Sequence, residues 1–335
     1  MITAILVSLL QSMTAHAQDP AFSQFFSSPL NINPALTANI NADWRVISNL
    51  RNQWIGPASP YMSGTASFDR KIFQNKMAGV PEGNVWGIGG MLLYDYAFSG
   101  IVKSTYVSTN LSYRMKLAEN YMYTHKLGVG FGAIYGRRHI DFERLNFEDQ
   151  FDGAGFNTNL PTGEIALQNM KPYISASAGL TYSLTSEISN FDIGVAAFHF
   201  NGPKQTFLKD ENQVLPIRQV AHANYERYLN DRVVLNINTI FQHQKEAEYY
   251  SIGGALGYYV GNQQDVLING GIWYWSKNAI IPYVGIMYKD MQFGLTYDIT
   301  VSKLNEAPRR PNTFELAFIL RGVKDPSGII PCPWK

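Results

Sequence analysis

The sequence is short of charge. Lys, Arg, Asp and Glu make up 16% of its 335 residues, against about a quarter in ordinary soluble domains. Its 27 basic residues almost cancel its 26 acidic ones, leaving a net charge of +1. With no basic field to draw in a polyanion, nucleic acid is not expected as a partner. Cysteine is nearly missing: Cys332 alone rules out an internal disulfide framework and a cysteine-cluster metal site. Downstream of the first residues there is no run of about 18 apolar residues, which excludes a membrane-spanning helix. What is abundant is aromatic area and glycine, with 20 Tyr, 19 Phe, 6 Trp and 28 Gly. A chain with so much apolar area to bury is not disordered.

The dominant pattern has period two. Phe293, Leu295, Tyr297, Ile299 and Val301 alternate with Gly294, Thr296, Asp298, Thr300 and Ser302. Ile174 to Leu184 on even positions oppose Tyr173, Ser175, Ser177, Gly179, Thr181 and Ser183 on odd ones, and Leu127, Val129, Phe131, Ala133 and Tyr135 alternate with Gly128, Gly130, Gly132, Ile134 and Gly136. Such alternation makes strands with one greasy and one small or polar face. A soluble sandwich would carry charge on its second face. Here that face holds mainly Gly, Ser, Thr and Asn, which suits the lumen of a transmembrane barrel whose large residues face lipid.

Segments of membrane-crossing length are expected at 43–53, 61–70, 84–95, 102–116, 124–139, 172–184, 190–200, 218–229, 233–245, 248–260, 266–276, 279–289, 291–302 and 313–321. The expected fold is therefore all-β, a closed antiparallel transmembrane barrel of about 14 strands over residues 43–322, an even number as closure with both termini on one side requires. With a periplasmic N-terminus, the long connections 140–171, 201–217 and 303–312 fall outside the cell, 71–83 being a long exception on the periplasmic side. Aromatic doublets such as Tyr94/Tyr96, Tyr121/Tyr123, Tyr249/Tyr250, Tyr258/Tyr259 and Trp273/Tyr274/Trp275 are expected as girdles at the headgroup levels.

The N-terminal residues form an apolar run ending in Ala15-His16-Ala17, expected to be a cleaved signal peptide over 1–17 and so to direct export. Residues 18–42 follow as a periplasmic segment and 323–335 as a periplasmic tail. Pro and Asn in the segment oppose regular structure, while Phe22, Phe25, Phe26, Leu30 and Ile32, beside Asn33 and Pro34, are too apolar for a free tail. They are expected to plug the barrel or to dock on a partner.

Chemistry leaves little trace. Gly128-Val129-Gly130-Phe131-Gly132 repeats glycine every second residue with no helix after it, which fits lumen-facing glycines rather than a phosphate loop. His125, His139, His199, His222 and His243 lack metal-site spacing, and no nucleophile elbow occurs. No cofactor, metal or enzymatic activity is expected. Arg51, Arg114, Asp298 and Glu315 are charges within strands, read either as a paired lumen network or as a gate. The loop 140–171 places Phe147, Phe151 and Phe156 among Glu148, Asp149 and Asp152. At that length it is either a protein-contact loop or disordered.

The motifs Gln18-Asp19-Pro20-Ala21-Phe22-Ser23-Gln24-Phe25-Phe26, Leu30-Asn31-Ile32-Asn33-Pro34-Ala35 and Leu50-Arg51-Asn52-Gln53-Trp54, with Phe191-Asp192-Ile193-Gly194-Val195, Tyr297-Asp298, Phe314-Glu315-Leu316 and Pro331-Cys332-Pro333, run through the whole mature chain. Together they resemble the PorP/SprF-like outer-membrane proteins of the type IX secretion system. The resemblance implies a non-enzymatic accessory barrel in the outer membrane. Its implied role is secretion or surface retention of cargo, such as large adhesins with C-terminal targeting domains, including those of gliding motility. Implied partners are cargo, type IX secretion subunits, peptidoglycan-linked periplasmic proteins and outer-membrane lipid. A passive or substrate-selective channel is the alternative suggested by the polar lumen face.

Overall fold

The computed structural model describes residues 19–56, 59–73, 83–157, 159–160, 170–205, 214–261, 264–302 and 311–322. The signal-peptide segment 1–17 and the tail 323–335 lie outside the described residues, as do parts of the connections 71–83, 140–171, 201–217 and 303–312.

Period-two segments become strands of one antiparallel sheet: β1 (Trp44–Ile55), β2 (Tyr61–Ile72), β3 (Val85–Ala97), β4 (Val102–Glu119), β5 (Thr124–Ile140), β6 (Tyr173–Thr185), β7 (Ser189–Phe198), β8 (Arg218–Tyr228), β9 (Val233–Gln244), β10 (Ala247–Val260), β11 (Val266–Trp275), β12 (Ala279–Tyr288), β13 (Met291–Tyr297), β14 (Ile299–Thr300) and β15 (Asn312–Gly322). Neighbours in sequence pair around the sheet, and β1 pairs with both β2 and β15, so the sheet closes on itself and no edge is left. The expected segments and the observed strands coincide apart from their ends. β13 and β14 are two pieces of one stave, giving the expected fourteen.

That one break has a local cause. Pairing between the twelfth stave and the thirteenth runs from Tyr288↔Met291 to Tyr283↔Thr296 and resumes at Ile280↔Ile299, so the gap falls where Pro282 would face Tyr297. Proline has no N–H to give to the ladder. Asp298, within the gap, still donates its N–H to the Thr313 carbonyl of β15 at 2.9 Å. β1 is also irregular, with a register shift between Asn52 and Ile55 and Trp54 in the left-handed region at φ 61°.

At the end where β1 starts and β15 finishes, the turns between β4 and β5 and between β8 and β9 are short and locally hydrogen-bonded. Asn230 Oδ1 accepts from the N–H groups of Arg232 and Val233, and Asn120 Oδ1 from those of Met122 and Tyr123. The opposite end carries the long connections after β5 and β7, which orients it outward.

Side chains alternate as the period requires. Leu295, Ile286, Val284, Ile272, Val195 and Phe131 stand exposed on the outer wall, while Thr296, Asn269, Ser177 and Asn110 are buried inside. The inward face is mostly uncharged, as expected, and among the described residues six basic side chains (Arg45, Arg51, Lys71, Arg114, Arg218, Arg321) and six acidic ones (Asp69, Asp95, Asp192, Glu226, Asp298, Glu315) are buried with the Ser, Thr and Asn residues. Isolated charge would be prohibitive there, and the equal balance allows pairing. One expectation needs correction: the aromatic runs do not all form girdles. Adjacent strand residues point to opposite faces, so Tyr274 and Tyr258 face outward whereas Trp273, Trp275 and Tyr259 are buried. Trp273 packs against Tyr283 with ring centroids 5.6 Å apart. The apolar core thus lies in the lumen, where these rings join Phe22, Phe25 and Ile32 of the N-terminal segment.

Trp273→Ala should therefore open a cavity and destabilise the barrel by about 3–5 kcal/mol, while Tyr274→Ala, one residue along but 40% exposed, costs far less. Denaturant midpoints of the two variants, read by heat-modifiable electrophoretic mobility, check this. Equal losses would contradict the facing assigned here.

Candidate functional site

Residues 19–42 lie inside the barrel. Proline and asparagine keep the segment from extending any regular element beyond one turn: two 3-10 turns, Phe25–Ser27 and Pro34–Leu36, flank a single α-turn, Pro29–Ile32. Phe22, Phe25, Leu30, Ile32, Asn33 and Pro34 are buried, and Phe26 is half-buried between Trp273 (4.8 Å between centroids) and Tyr283 (5.7 Å). So short a segment cannot satisfy its own backbone, and the wall supplies the partners.

Near the outward end, Asp19 Oδ2 lies 2.7 Å from His199 Nε2 and 3.1 Å from Arg218 Nε. His199 is braced by Ser175 Oγ at 2.6 Å from its Nδ1, and the Arg218 guanidinium stacks over Phe198 at 4.1 Å and donates to the Asn31 carbonyl at 3.1 Å. On the seam between first and last strands, Arg51 and Glu315 are direct cross-strand partners, as are Thr296 and Glu315. Arg51 Nη2 donates to Asp298 Oδ2 at 2.7 Å, its Nη1 donates to the Ala21 carbonyl, and its guanidinium lies 4.8 Å over Trp275. The two carboxylates then hold the segment's backbone and hydroxyl: Ser23 N–H donates to Glu315 Oε2 (2.7 Å), Gln24 N–H to Glu315 Oε1 (3.1 Å), and Ser23 Oγ to Asp298 Oδ1 (2.7 Å).

Lower in the lumen the wall gives way to the segment. Asn33 Oδ1 caps the second 3-10 turn by accepting from Ala35 N–H (2.8 Å), and its Nδ2 donates to the wall carbonyls of Leu180 (3.1 Å) and Val195 (3.2 Å) and lies 3.1 Å from His222 Nε2. That approach exists because Gly179 and Gly194 have no side chains: a Cβ on either would press on the Asn33 amide, and one on Gly130 would overlap Pro34 and Ala35. Closest to the start of β1, Asp69 is bound in bidentate fashion by its cross-strand partner Arg45 (3.0 and 2.7 Å) and accepts from Ala38 N–H at 2.6 Å. Asn39 reaches Asp192 (3.3 Å).

Of the four strand charges singled out in the sequence, Arg51, Asp298 and Glu315 come together. Arg114 does not join them. It sits near the other end, where its Nη1 donates to the Ala38 carbonyl at 3.3 Å, because β4 stands three strands from β1 and Arg114 pairs with Val85 at the start of β3. The Asp19–His199–Arg218 and Arg45–Asp69 groups were not singled out. Inward parity marks Asp69 and Arg218, but register and the path of the segment are needed to match them.

Outside, the loop after β5 carries a folded hairpin. Phe151 and Phe156 form an isolated antiparallel bridge with ring centroids 5.3 Å apart and remain 51% and 54% exposed. Asp152 Oδ1 ties the tip by accepting from Ala154 and Gly155 N–H groups, both at 3.0 Å, and Gly153 supplies φ 92°. Phe147, half-buried, donates its N–H to Gln150 Oε1 (3.2 Å), while Gln150 Nε2 donates to the Leu160 carbonyl (3.1 Å). Glu148 and Asp149 flank it, exposed. Among the described residues no group of three His, Cys, Asp or Glu side chains is placed to hold a metal.

Two outcomes follow. Gly130→Val and Gly179→Val should push the Asn33–Leu36 turn off the wall and expose residues 19–42 to protease while the barrel keeps its mobility shift. Gly270→Val, where the added group meets nothing within 4 Å, should leave the segment protected. Burial acts to raise the Asp19 carboxyl, yet the charges of Arg218 and His199, with hydrogen bonds from His199 and Gln244, outweigh it and hold the group well below the usual carboxylate range. A lowered folded value means docking is favoured by the ionised form, fully above the unfolded value and progressively lost below about pH 4. Limited proteolysis should find the segment protected at neutral pH and loosened by acid below that point. Asp19→Asn should loosen it at neutral pH, and unchanged protection in both cases would contradict the ion pair's role.

The PorP/SprF pattern, described as type IX secretion system membrane protein PorP/SprF, matches residues 14–319. Comparison with curated proteins gives no match. Among solved structures, the Ralstonia pickettii toluene transporter TbuX is 11% identical, with a TM-score of 0.48 over 87% of this chain and 92% of that one. The Pseudomonas putida toluene transporter TodX is 10% identical, at 0.46 over 88% and 93%, and a Pseudomonas aeruginosa FadL homologue is 10% identical, at 0.43 over 86% and 92%. With the family pattern covering nearly the whole chain and the closed fourteen-stave barrel in place, the chain belongs to the PorP/SprF family of type IX secretion system membrane proteins.

Proposed function

We propose that this barrel is a non-enzymatic accessory component of the type IX secretion system that works by binding at its two ends rather than by conducting through its middle. The observation that carries the reading is the occupied lumen: residues 19–42 meet β1, β2, β4, β6, β7, β8, β9, β13 and β15 through hydrogen bonds from one end of the barrel to the other. A filled barrel presents its partners with rims and loops. On the outer rim, the Phe147–Phe156 hairpin offers exposed rings on a tied backbone, so little ordering entropy is lost on contact, and the reading assigns it to cargo, a secreted adhesin with a C-terminal targeting domain. The periplasmic rim, where the segment enters β1, is assigned to secretion subunits and peptidoglycan-linked proteins. Retention of adhesins used in gliding motility is the expected service. The expected cleavage after Ala17 would leave the new N-terminus beside the clamped Asp19.

The test is co-purification from native outer membranes with a Phe151→Ala/Phe156→Ala variant beside the parent chain. Loss of an adhesin-type cargo of about tenfold or more, with secretion subunits retained, is the expected result. The channel reading makes a different forecast: steady single-channel conductance of the parent chain in a planar bilayer, with cargo recovery indifferent to the hairpin, would replace the binding role.

A further inference from the structure

The outer wall carries a charged feature that neither the lumen nor the hairpin accounts for. At the outward end, Tyr94 of β3, Lys103 and Thr105 of β4, and Arg137 and His139 of β5 line one shallow depression of about 310 Å³. The register builds it: Lys103 is the direct cross-strand partner of His139, Thr105 of Arg137, and Tyr94 of Thr105. All five share the outward parity of Leu92, Val107 and Tyr135, which are exposed apolar residues one step nearer the middle of the wall. Two strand residues advance the chain by about 7 Å. The cations therefore sit just beyond the lipid-facing belt, at headgroup depth, on the side of the long loops.

Their isolation is what sets them apart. The lumen charges are balanced and matched, as in Arg45–Asp69, Arg51–Asp298 and Arg218–Asp19. Among the described residues, Lys103 and Arg137 have no ion pair or hydrogen bond through their side chains, and neither does His139. An arginine fork and a lysine ammonium converging on one hollow match the geometry of a phosphate group. Cationic residues beside a bilayer surface draw anionic lipid.

We infer that this depression binds the phosphorylated headgroup of an outer-leaflet glycolipid. Arg137 and Lys103 neutralise the phosphate, Thr105 donates a hydrogen bond, Tyr94 packs beside the sugar, and the acyl chains lie along Leu92, Val107 and Tyr135. The lipid, not the free ion, is the occupant because the apolar wall directly below the cations gives the chains a place to go.

The experiment places the full-length barrel in phosphatidylcholine nanodiscs doped with bis-phosphorylated lipid A, or with the same lipid A after enzymatic dephosphorylation, and reads retained glycolipid by native mass spectrometry. The parent chain should retain the phosphorylated form about tenfold or more over the dephosphorylated one, and Lys103→Gln/Arg137→Gln should lose that preference while Lys277→Gln, on another outward turn, keeps it. Because the parent chain alone reports the phosphate preference, the result does not hang on the folding of the double variant, which its heat-modifiable mobility checks. Equal retention of the two lipid forms by the parent chain, or an unchanged preference in the double variant, overturns the site. Displacement of lipid A by millimolar inorganic phosphate overturns the lipid assignment in favour of a free anion.

Discussion

A sheet closed on itself has no second layer to cover its inner face. In a narrow barrel side chains fill the space, but at fourteen staves the lumen is wider than they can span. Here the chain's own residues 19–42 make up the difference, and everything else in the interior follows from accommodating them. Where the segment presses on the wall, the wall is glycine (Gly130, Gly179 and Gly194). Where it leaves backbone N–H groups unpaired, the wall offers carboxylates, Glu315 to Ser23 and Gln24 and Asp69 to Ala38. Each of those carboxylates carries an arginine from a neighbouring strand, which keeps the buried charge compensated.

The triad of Arg51, Asp298 and Glu315 lies on the seam where the first strand meets the last. It joins two events that are separate in sequence, closure of the barrel and seating of the segment, since Arg51 also grips the Ala21 carbonyl. The break at Tyr297 and Asp298, where Pro282 and Ile281 would pair, falls where the Asp298 carboxylate accepts from the Ser23 hydroxyl. With such anchors at both ends of the lumen, the barrel offers its surroundings two rims, one hairpin and a lipid-facing wall, and those are the surfaces on which a member of a secretion machine can work.

The architecture was largely legible because period two survives in every stave: a slip of one residue would turn the whole apolar set inward. The apolar character of Phe22 to Ile32 likewise announced a buried segment, since no free tail keeps five such residues. Three things were hidden. Runs such as Trp273-Tyr274-Trp275 read as a girdle because composition is visible locally while facing depends on counting parity from an uncertain strand start. Arg114 looks like a companion of Arg51, Asp298 and Glu315 because charge in a strand reveals the face it occupies but not its height or its position around the ring. Asp19, His199 and Arg218 went unmatched for the same reason, their meeting being decided by the course of an irregular segment through the lumen. The period does place charge inside, but the matching of six acids with six bases spread over fourteen staves appears only when closure brings them face to face.

Every interior contact described depends on the segment being seated in the lumen of the membrane-embedded protein. Ser27 and Asn49 meet there, the Asn49 amide donating to the Ser27 carbonyl at 2.8 Å. In a Cys332→Ser background, a Ser27→Cys/Asn49→Cys pair treated in intact outer membranes with a short thiol cross-linker should link in most molecules and resist a membrane-impermeant maleimide beforehand. Two freely labelled, unlinked cysteines in a barrel that is otherwise folded would contradict it.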